Sequence, residues 1–442
     1  MAIRKAQWTF LVYIAAHNNL DDLGRRSLDQ ILGAASTPQL KLAALYDSHD
    51  GATRYIVGDP AQMLVEEPLS DFDSGDPDAL LETVRWCFER CPAEQYALVL
   101  WSHGSGWRPE DRQRAAQGRL VSAWTPQEMA RIAREVRGDD AVSAGESAER
   151  GGQSASMALF RSTLAEILDK DSSTERAICF DDGSGHSLDT LELERVVREV
   201  QAITGQPLSL LGMDACLMAT LEVAYQVREQ VQYLVASEEL VPGYSWPYDS
   251  ILEALRATPQ MPPHDLAALV VHRYVDYYAA NPPPLNYGDV TKVALDLAHI
   301  GELAQAADGF ARALLADIEN QASHLWAAQR ETRAKETLQG RRQANKFNYH
   351  LWDLGTLAAH LAEHSEDAAV QEAARVVRAA LQPGGAVIVE RHHGEWFEGI
   401  GGISVYAVPP GVQRISPYYS EVALARDTRW GDMLQAYHDV AP

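Results

Sequence analysis

The chain contains few cysteines for its length, which limits how it can be held together. Four occur in 442 residues: Cys87, Cys91, Cys179 and Cys216. So few do not form the disulfide framework of a small secreted domain. Cys87 and Cys91 share one face of a predicted helix entered through Asp76-Pro77. No second Cys/His pair at zinc spacing accompanies them, so we assign both to the core and assign no metal site.

A block of basic residues and a long hydrophobic run are also lacking. The formal net charge is -24, which argues against a nucleic-acid partner and is compatible with basic peptides as partners. No run after the N-terminus approaches the length of a transmembrane helix, so no membrane partner is expected. The remaining composition is that of an ordinary globular protein, long enough to bury a large core.

The N-terminal stretch "MAIRKAQWTFLVYIAA" has two interpretations. Basic residues before a short apolar run are typical of a signal peptide. The same run also predicts a buried first strand, because it leads directly into a helix pattern, "HNNLDDLGRRSLDQIL". We favour the strand, and on that basis expect a cytoplasmic protein.

Short apolar runs rich in β-forming residues alternate with helical patterns. The runs are "WTFLVYIAA", "LKLAALYD", "YALVLWS", "RAICFDD", "LSLLGMDA" and "QYLVASEE". Nearly continuous apolar runs suit strands covered on both faces, as in a parallel sheet between helices. The pattern predicts an α/β sandwich, in which ligands bind at the carboxyl ends of the strands.

Two parts of the chain are distinguished by pattern. Residues 1–260 hold most of the strands and are predicted to form the core, with a flexible, charged loop at about 108–176. Residues 261–442 are mostly helical, with late strands at "KVALDL", "AVIVER" and "GISVYAV", and are predicted to pack on that core.

A cysteine and a histidine follow two of the predicted strands. Cys216 comes where a strand is expected to pass directly into a helix, whose first N–H groups would favour the thiolate. His103 follows the strand "YALVLWS" and precedes Gly104, where a backbone N–H can approach a ligand closely. A thiolate nucleophile, a histidine proton donor and an oxyanion hole from the N–H groups of Gly104 and Cys216 would suit peptide-bond cleavage.

Asp214 is two residues before Cys216, so the two side chains share one side of the strand. A carboxylate at the end of an apolar strand needs a cationic or hydrogen-bonding partner. A substrate Arg or Lys would serve, and donors within the fold are the alternative. Further substrate-binding candidates follow the next strand, in "ASEELVPGYSWPY". A packed surface loop with a core tryptophan would explain this stretch equally well. These candidates are Ser237, Glu238, Tyr244 and Trp246.

The motifs together resemble the clostripain family of cysteine peptidases, which are relatives of caspases, gingipains and legumains. "WTFLVYIAAHNNLDDL", "LVLWSHGSGW", "LLGMDACLMATLEVAY" and "ASEELVPGYSWPY" are similar to successive family blocks, with weaker likeness in "YHLWDLG", "GGISVYAVPP" and "DTRWGDMLQAY". The resemblance implies a caspase–haemoglobinase-like three-layer sandwich with a His103/Cys216 dyad. It places Asp214 at the base of the pocket for the residue before the cleaved bond (P1), which implies cleavage after Arg or Lys.

The resemblance also implies a latent enzyme that is activated by cleavage in the 108–176 loop, by itself or by another protease. Basic residues in that loop are candidate cleavage points: Arg112, Arg114, Arg119, Arg137, Arg150, Lys170 and Arg176. Some family members need Ca²⁺. In this chain "DDGSG" at 181–185 and the Glu238-Glu239 pair would be the oxygen ligands, although neither has an EF-hand pattern.

The sequence departs from the family at His17, where an acidic residue is expected, and in the length of the 108–176 loop. Two other functions use the same residues. A transpeptidase or ligase would join peptides through the same dyad. A catalytically silent relative would bind peptides or act as a scaffold, although the retention of His103, Cys216 and Asp214 together favours an enzyme.

Overall fold

The structure is a computed structural model of the chain. It describes residues 5–58, 65–107, 178–281, 290–334, 351–394, 397–408, 410 and 415–440. The predicted loop at 108–176 and its candidate cleavage points lie outside these residues.

A nine-stranded sheet forms the centre of the molecule, in the order β10-β8-β7-β6-β5-β1-β2-β3-β4. Its strands are β1 (Ala6–Ala15), β2 (Leu40–Ser48), β3 (Gly51–Val57), β4 (Val65–Leu69), β5 (Ala93–Trp101), β6 (Leu208–Asp214), β7 (Val231–Ala236), β8 (Val290–Asp296) and β10 (Val387–His393). The central strands β2, β1, β5, β6 and β7 are parallel, while the outer strands pair antiparallel. Two short strands, β9 (Leu351–Asp353) and β11 (Ser404–Tyr406), form a separate antiparallel pair.

Helices cover both faces of the sheet. They are α1 (Asp21–Gly33), α2 (Pro77–Arg90), α3 (Thr190–Thr204), α4 (Leu221–Val227), α5 (Tyr248–Ala257), α6 (Pro263–Ala280), α7 (Ile300–Ala316), α8 (Ile318–Ala334), α9 (Leu354–His364), α10 (Ala368–Ala380), α11 (Ala423–Asp427) and α12 (Trp430–Val440). Helices α1, α5 and α6 pack on one face, and α2, α3, α4 and α7 pack on the other together with the C-terminal helices. No helix among the described residues has both the length and the apolar character needed to cross a membrane.

The central strand β1 shows why the sheet is buried on both sides. Alternate residues along a strand point to opposite faces. In β1, Phe10 and Val12 pack with α1, α5 and α6, whereas Leu11 and Tyr13 pack in the other core. All four are at most 1% exposed. The strand interpretation of the N-terminal run is therefore confirmed, while the cytoplasmic location stays a prediction.

Local signals place several helix ends where the sequence indicates. Helix α2 begins at Pro77, and the Asp76 side chain accepts a hydrogen bond from the Asp78 N–H. Helix α3 begins with a capping box from Asp189 and ends at Gly205, whose φ of 75° suits glycine. These short-range signals act through the backbone itself, so they need no tertiary information.

Two predictions about elements are wrong. The run "RAICFDD" does not form a strand in the described residues, because Ile178 makes only isolated bridges to Gly104 and Leu188. Cys216 does not pass directly into a helix, since α4 begins only at Leu221. The division at residue 260 stays a prediction, and two strands from beyond it, β8 and β10, extend the central sheet.

Candidate functional site

A small pocket of about 30 Å³ opens where the parallel strands β1, β5 and β6 end. These strands are neighbours in register: Ile14 pairs with Trp101, and Trp101 pairs with Asp214. The loops that follow them therefore meet at one edge of the sheet, as expected for an α/β fold. The pocket brings together the three residues predicted from the sequence, His103, Asp214 and Cys216. The remaining walls come from the start of α1 and from the 241–245 turn.

His103 is positioned by two segments that are distant in sequence. Its Nε2 lies 2.6 Å from the Oδ1 of Asn19, in the loop after β1. Its ring packs edge-on against Phe180, with 5.7 Å between the ring centroids. Phe180 is in turn held by its N–H, which donates to the Ser102 hydroxyl at 3.2 Å. The imidazole is only 4% exposed at residue level, so its orientation is set by packing rather than by solvent.

Gly104 touches the backbone of Cys216. A Cβ at Gly104 would lie 2.4 Å from the Cys216 carbonyl oxygen and 2.9 Å from the Ala215 Cβ. No side chain fits without a movement of backbone. This contact places the Gly104 backbone beside the Cys216 backbone. The approach of the Gly104 N–H to a ligand, and its role in an oxyanion hole, stay predictions.

We expect Gly104→Ala to lower kcat by about 10²-fold or more, because the added methyl group displaces the 103–104 backbone relative to Cys216. Steady-state kinetics on a peptide substrate measures this effect, with a melting curve to confirm folding. The matched control is Gly33→Ala, where a Cβ meets nothing within 4 Å. Kinetics of Gly104→Ala that equal those of the control would show that this contact has no role.

Cys216 occupies a tight turn rather than a helix N-terminus. The next residue, Leu217, has a φ of 63°, a conformation that costs energy for a non-glycine residue. The sulfur accepts a hydrogen bond from the Val241 N–H at 3.2 Å. Burial nevertheless raises the pKa of the Cys216 thiol to about 12, and neither this N–H nor the Lys292 charge offsets that effect. The helix N-terminus expected to favour the thiolate does not lie beside the sulfur, because α4 begins only at Leu221, and burial opposes ionisation.

Asp214 has an asymmetric set of partners. Its Oδ2 accepts from the Ser245 hydroxyl, from the Trp246 N–H at 3.1 Å and from the Tyr248 hydroxyl at 2.8 Å. Its Oδ1 is buried and accepts no hydrogen bond from the described residues. Burial raises the pKa of the Asp214 carboxyl. Donors within the fold thus satisfy one oxygen and leave the other for a further partner.

The other substrate-binding candidates do not line the pocket. The Glu238 carboxylate accepts from the Ser404 hydroxyl at 3.0 Å on β11, so it faces the second sheet. Ser237 and the Trp246 side chain are fully buried, and Trp246 packs beneath Gly212. Tyr244 is half-buried and stacks under the Arg26 guanidinium, 4.6 Å from the ring centroid. Ser237, Glu238 and Trp246 therefore belong to the buried interior, and Tyr244 contacts α1 outside the pocket lining.

Sequence reasoning missed four residues that shape the site. Asn19 contacts His103, Ser245 and Tyr248 bind Asp214, and Lys292 lies behind the pocket. The sequence did offer one signal: Lys292 interrupts the otherwise apolar strand "VTKVALD". Asn19 and Ser245 come from loops and Tyr248 from the start of α5, and no local pattern encodes their approach to the strand ends.

His17 makes contact with the 181–185 segment. The Oδ1 of Asp181 accepts from the N–H groups of Gly183 and Ser184, and its Oδ2 accepts from Ser74. His17 Nδ1 lies 3.3 Å from the same Oδ1, which explains why an acidic residue at position 17 would be repelled here. His17, Asp47 and Asp181 each bring one possible ligand atom within 4.8 Å of the others, and the calcium ligands expected at 181–185 stay a prediction.

The fold and the site define a class: an α/β sandwich with a cysteine, a histidine and an acid at the carboxyl ends of adjacent strands, as in caspase-like cysteine peptidases. The model of the clostripain family matches residues 12–126 and 165–436. This chain belongs to the clostripain family. The interval between the two matched segments falls within the 108–176 insertion.

Individual relatives are distant. Clostripain from Hathewaya histolytica is 22% identical over 285 residues, which is 56% of this chain and 42% of that protein, so the match spans less than half the length of this relative. A secreted C11 cysteine protease from Bacteroides thetaiotaomicron, solved with an irreversible peptide inhibitor, has a TM-score of 0.59 at 17% identity, covering 97% of this chain and 99% of that one. An inactive zymogen C11 protease from Parabacteroides distasonis has a TM-score of 0.54 at 17% identity, covering 96% and 99%. These structures confirm the caspase–haemoglobinase-like fold.

Proposed function

We propose that this protein is a cysteine endopeptidase that cleaves peptide bonds after Arg or Lys and is latent until its 108–176 loop is cut. The observation that carries the proposal is the meeting of Cys216, His103 and Asp214 in one pocket at the strand ends. Family membership supports the peptidase activity, and the buried carboxylate supports the basic P1 residue. The substrates are peptides or proteins, and an activating protease is a further partner.

The reaction proceeds in two steps. The Cys216 sulfur attacks the carbonyl carbon of the scissile bond, and its proton passes to His103, because the buried thiol is protonated at rest. His103 then gives a proton to the leaving amine as the C–N bond breaks. Water hydrolyses the resulting thioester and regenerates the thiol. The N–H groups of Gly104 and Cys216 stabilise the oxyanion in both steps.

Asp214 selects the substrate by charge. A P1 guanidinium or ammonium that enters the pocket meets a carboxylate with one unpartnered oxygen. A charge-assisted hydrogen bond in a buried site is stronger than a neutral one, and an Arg side chain can form two of them. Paired fluorogenic peptides ending in Arg, Lys and Asp test the proposal: cleavage is expected after Arg and Lys only. Cleavage after Asp alone, or after none of the three, would contradict it.

The proposed latency predicts that the active protein contains a break in its chain. We expect the intact chain to show little activity, and limited trypsin treatment to raise it by about tenfold or more while mass spectrometry locates the cut within 108–176. The sequence predicts a loop rich in Gly, Ser and Ala over these residues, and loops of that composition are preferred sites for such a cut. Incubation of the Cys216→Ala protein with active wild type separates self-cleavage from cleavage by another protease. Full activity in demonstrably intact chain would end the latency proposal.

A further inference from the structure

Lys292 is a lysine in the interior of the protein. It belongs to β8, is 0% exposed, and its Nζ has no hydrogen-bond partner among the described residues. An ammonium removed from water in this way is costly unless other charges compensate for it. A β-strand position in a large core is normally filled by an apolar side chain. The position of this lysine therefore calls for an explanation from its surroundings.

The surroundings of Lys292 are the back of the pocket. Its Nζ lies 3.9 Å from the ring centroid of Tyr274 on α6 and 5.2 Å from that of Trp246. Trp246 is the residue whose N–H binds the Asp214 carboxylate. The aromatic faces stabilise a cation there but cannot replace the hydrogen bonds that water would supply.

The charged and titratable groups around Lys292 come from several elements. Asp214 and Cys216, at and just after the end of β6, are the groups whose charges act on the Lys292 ammonium. Helix α6 contributes the Tyr274 hydroxyl. Strand β10 contributes Arg391, the register partner of Lys292, but this side chain turns to Asp276 at 2.8 Å and His272 at 3.1 Å on α6. Asp214 is thus the nearby anion that can balance the lysine.

Lys292 and Asp214 do not form a direct ion pair. Both the Nζ and the Asp214 Oδ1 lack a hydrogen-bond partner among the described residues. Burial lowers the pKa of Lys292 to about 7, whereas Asp214 acts to raise it. The lysine can therefore gain or lose its proton near neutral pH. The floor of the pocket is neutral when both groups are charged and negative when only Asp214 is charged.

The charges of Lys292 and Asp214 bear on which substrates the pocket accepts, and the inference drawn from them rests on the proposed function. We infer that Lys292 is a specificity-determining residue, an internal ammonium that competes with the basic P1 side chain of the substrate for Asp214. A P1 cation entering beside a protonated Lys292 would leave one uncompensated positive charge in a buried site. Binding of the P1 cation is therefore coupled to loss of the Lys292 proton, and by reciprocity a protonated Lys292 weakens P1 binding.

The preference for a P1 Arg is expected to rise with pH. Below the folded-state pKa, Lys292 is charged and opposes a P1 Arg. Above it, Lys292 is neutral and Asp214 is available to the substrate. The preference for P1 Arg over P1 citrulline, its uncharged isostere, should rise as pH increases from about 6 to 8, by about fivefold to 100-fold. The two peptides share the chemistry of Cys216 and His103, so their ratio cancels the titration of those groups.

The experiment compares kcat/KM for paired Arg and citrulline peptides across this pH range in trypsin-treated wild type and two variants. Lys292→Met removes the internal charge and is expected to give a high Arg/citrulline ratio that does not change with pH. Lys292→Arg keeps a permanent charge and is expected to give a low ratio throughout. The control is Lys41→Met, a half-buried strand lysine on β2, which should behave as wild type.

The outcomes distinguish this inference from the proposed function. A wild-type ratio that is constant with pH overturns the inference even if neither Lys292 variant folds. A ratio that falls in Lys292→Met also overturns it, because Lys292 would then be supporting the ionisation of Asp214 rather than competing for it. Failure of wild type to cleave either peptide, before and after treatment, would instead overturn the proposed function, and with it the role of Lys292.

Discussion

Replacement of Cys216 by alanine is expected to lower kcat/KM for a P1 Arg peptide by about 10⁵-fold or more, to near the uncatalysed rate. The sulfur is the nucleophile that forms the covalent thioester, and removal of a nucleophile costs about as much as removal of the whole catalytic unit. A fluorogenic assay on trypsin-treated protein measures the loss. Folding should be retained, because alanine fits the space of a buried thiol.

The matched control for this variant is Cys87→Ala. Cys87 is also a fully buried free thiol, but it lies on α2 and not in the pocket. The Cys87→Ala substitution should lower the free energy of unfolding by at most a few kcal/mol and leave kcat/KM unchanged. A peptide chloromethyl ketone ending in Arg should label wild type and Cys87→Ala but not Cys216→Ala. If Cys216→Ala retained every activity of the protein, the scaffold interpretation would replace the peptidase.

The second large effect is expected from Asp214→Asn, which should remove the preference for basic P1 residues. Loss of one partner from a buried charge pair costs about 2–5 kcal/mol, or about 30-fold to 5000-fold in kcat/KM for P1 Arg. The substitution can keep the hydrogen bonds that Asp214 makes within the fold. An asparagine carbonyl can take the place of Oδ2 and accept from Ser245, Trp246 and Tyr248, while its amide takes the place of the unpartnered Oδ1.

The citrulline peptide serves as the internal standard for this prediction, since it lacks the charge that Asp214 is proposed to bind. Its kcat/KM should change by no more than about threefold in Asp214→Asn. Asp47→Asn is the control variant, because Asp47 is a buried carboxylate near the end of β2, another parallel strand of the same sheet, and does not line the pocket. An undiminished Arg preference in folded Asp214→Asn would remove Asp214 from the recognition of P1.

Much of the fold follows from local pattern. The apolar runs of β1, β5 and β6 were identified from the sequence because a strand covered on both faces needs apolar residues at nearly every position. The start of α2 follows from Asp76-Pro77, since proline suits the first position of a helix. The segment at 178–181 was misassigned, because the same β-forming residues can be buried in a loop that bridges other segments.

The candidate site also has one part that follows from the sequence and one part that does not. The sequence by itself determined the chemical groups: a histidine and a cysteine after two neighbouring strands and an acid just before the cysteine, because parallel strands bring their carboxyl ends to one edge. Tertiary structure alone decided the state of these groups. Burial raises the pKa of the Cys216 thiol, the 245–248 segment gives Asp214 three donors on one oxygen, and β8 places Lys292 behind the pocket. Desolvation and charge balance depend on what packs around a side chain, and that information lies in residues far away along the chain.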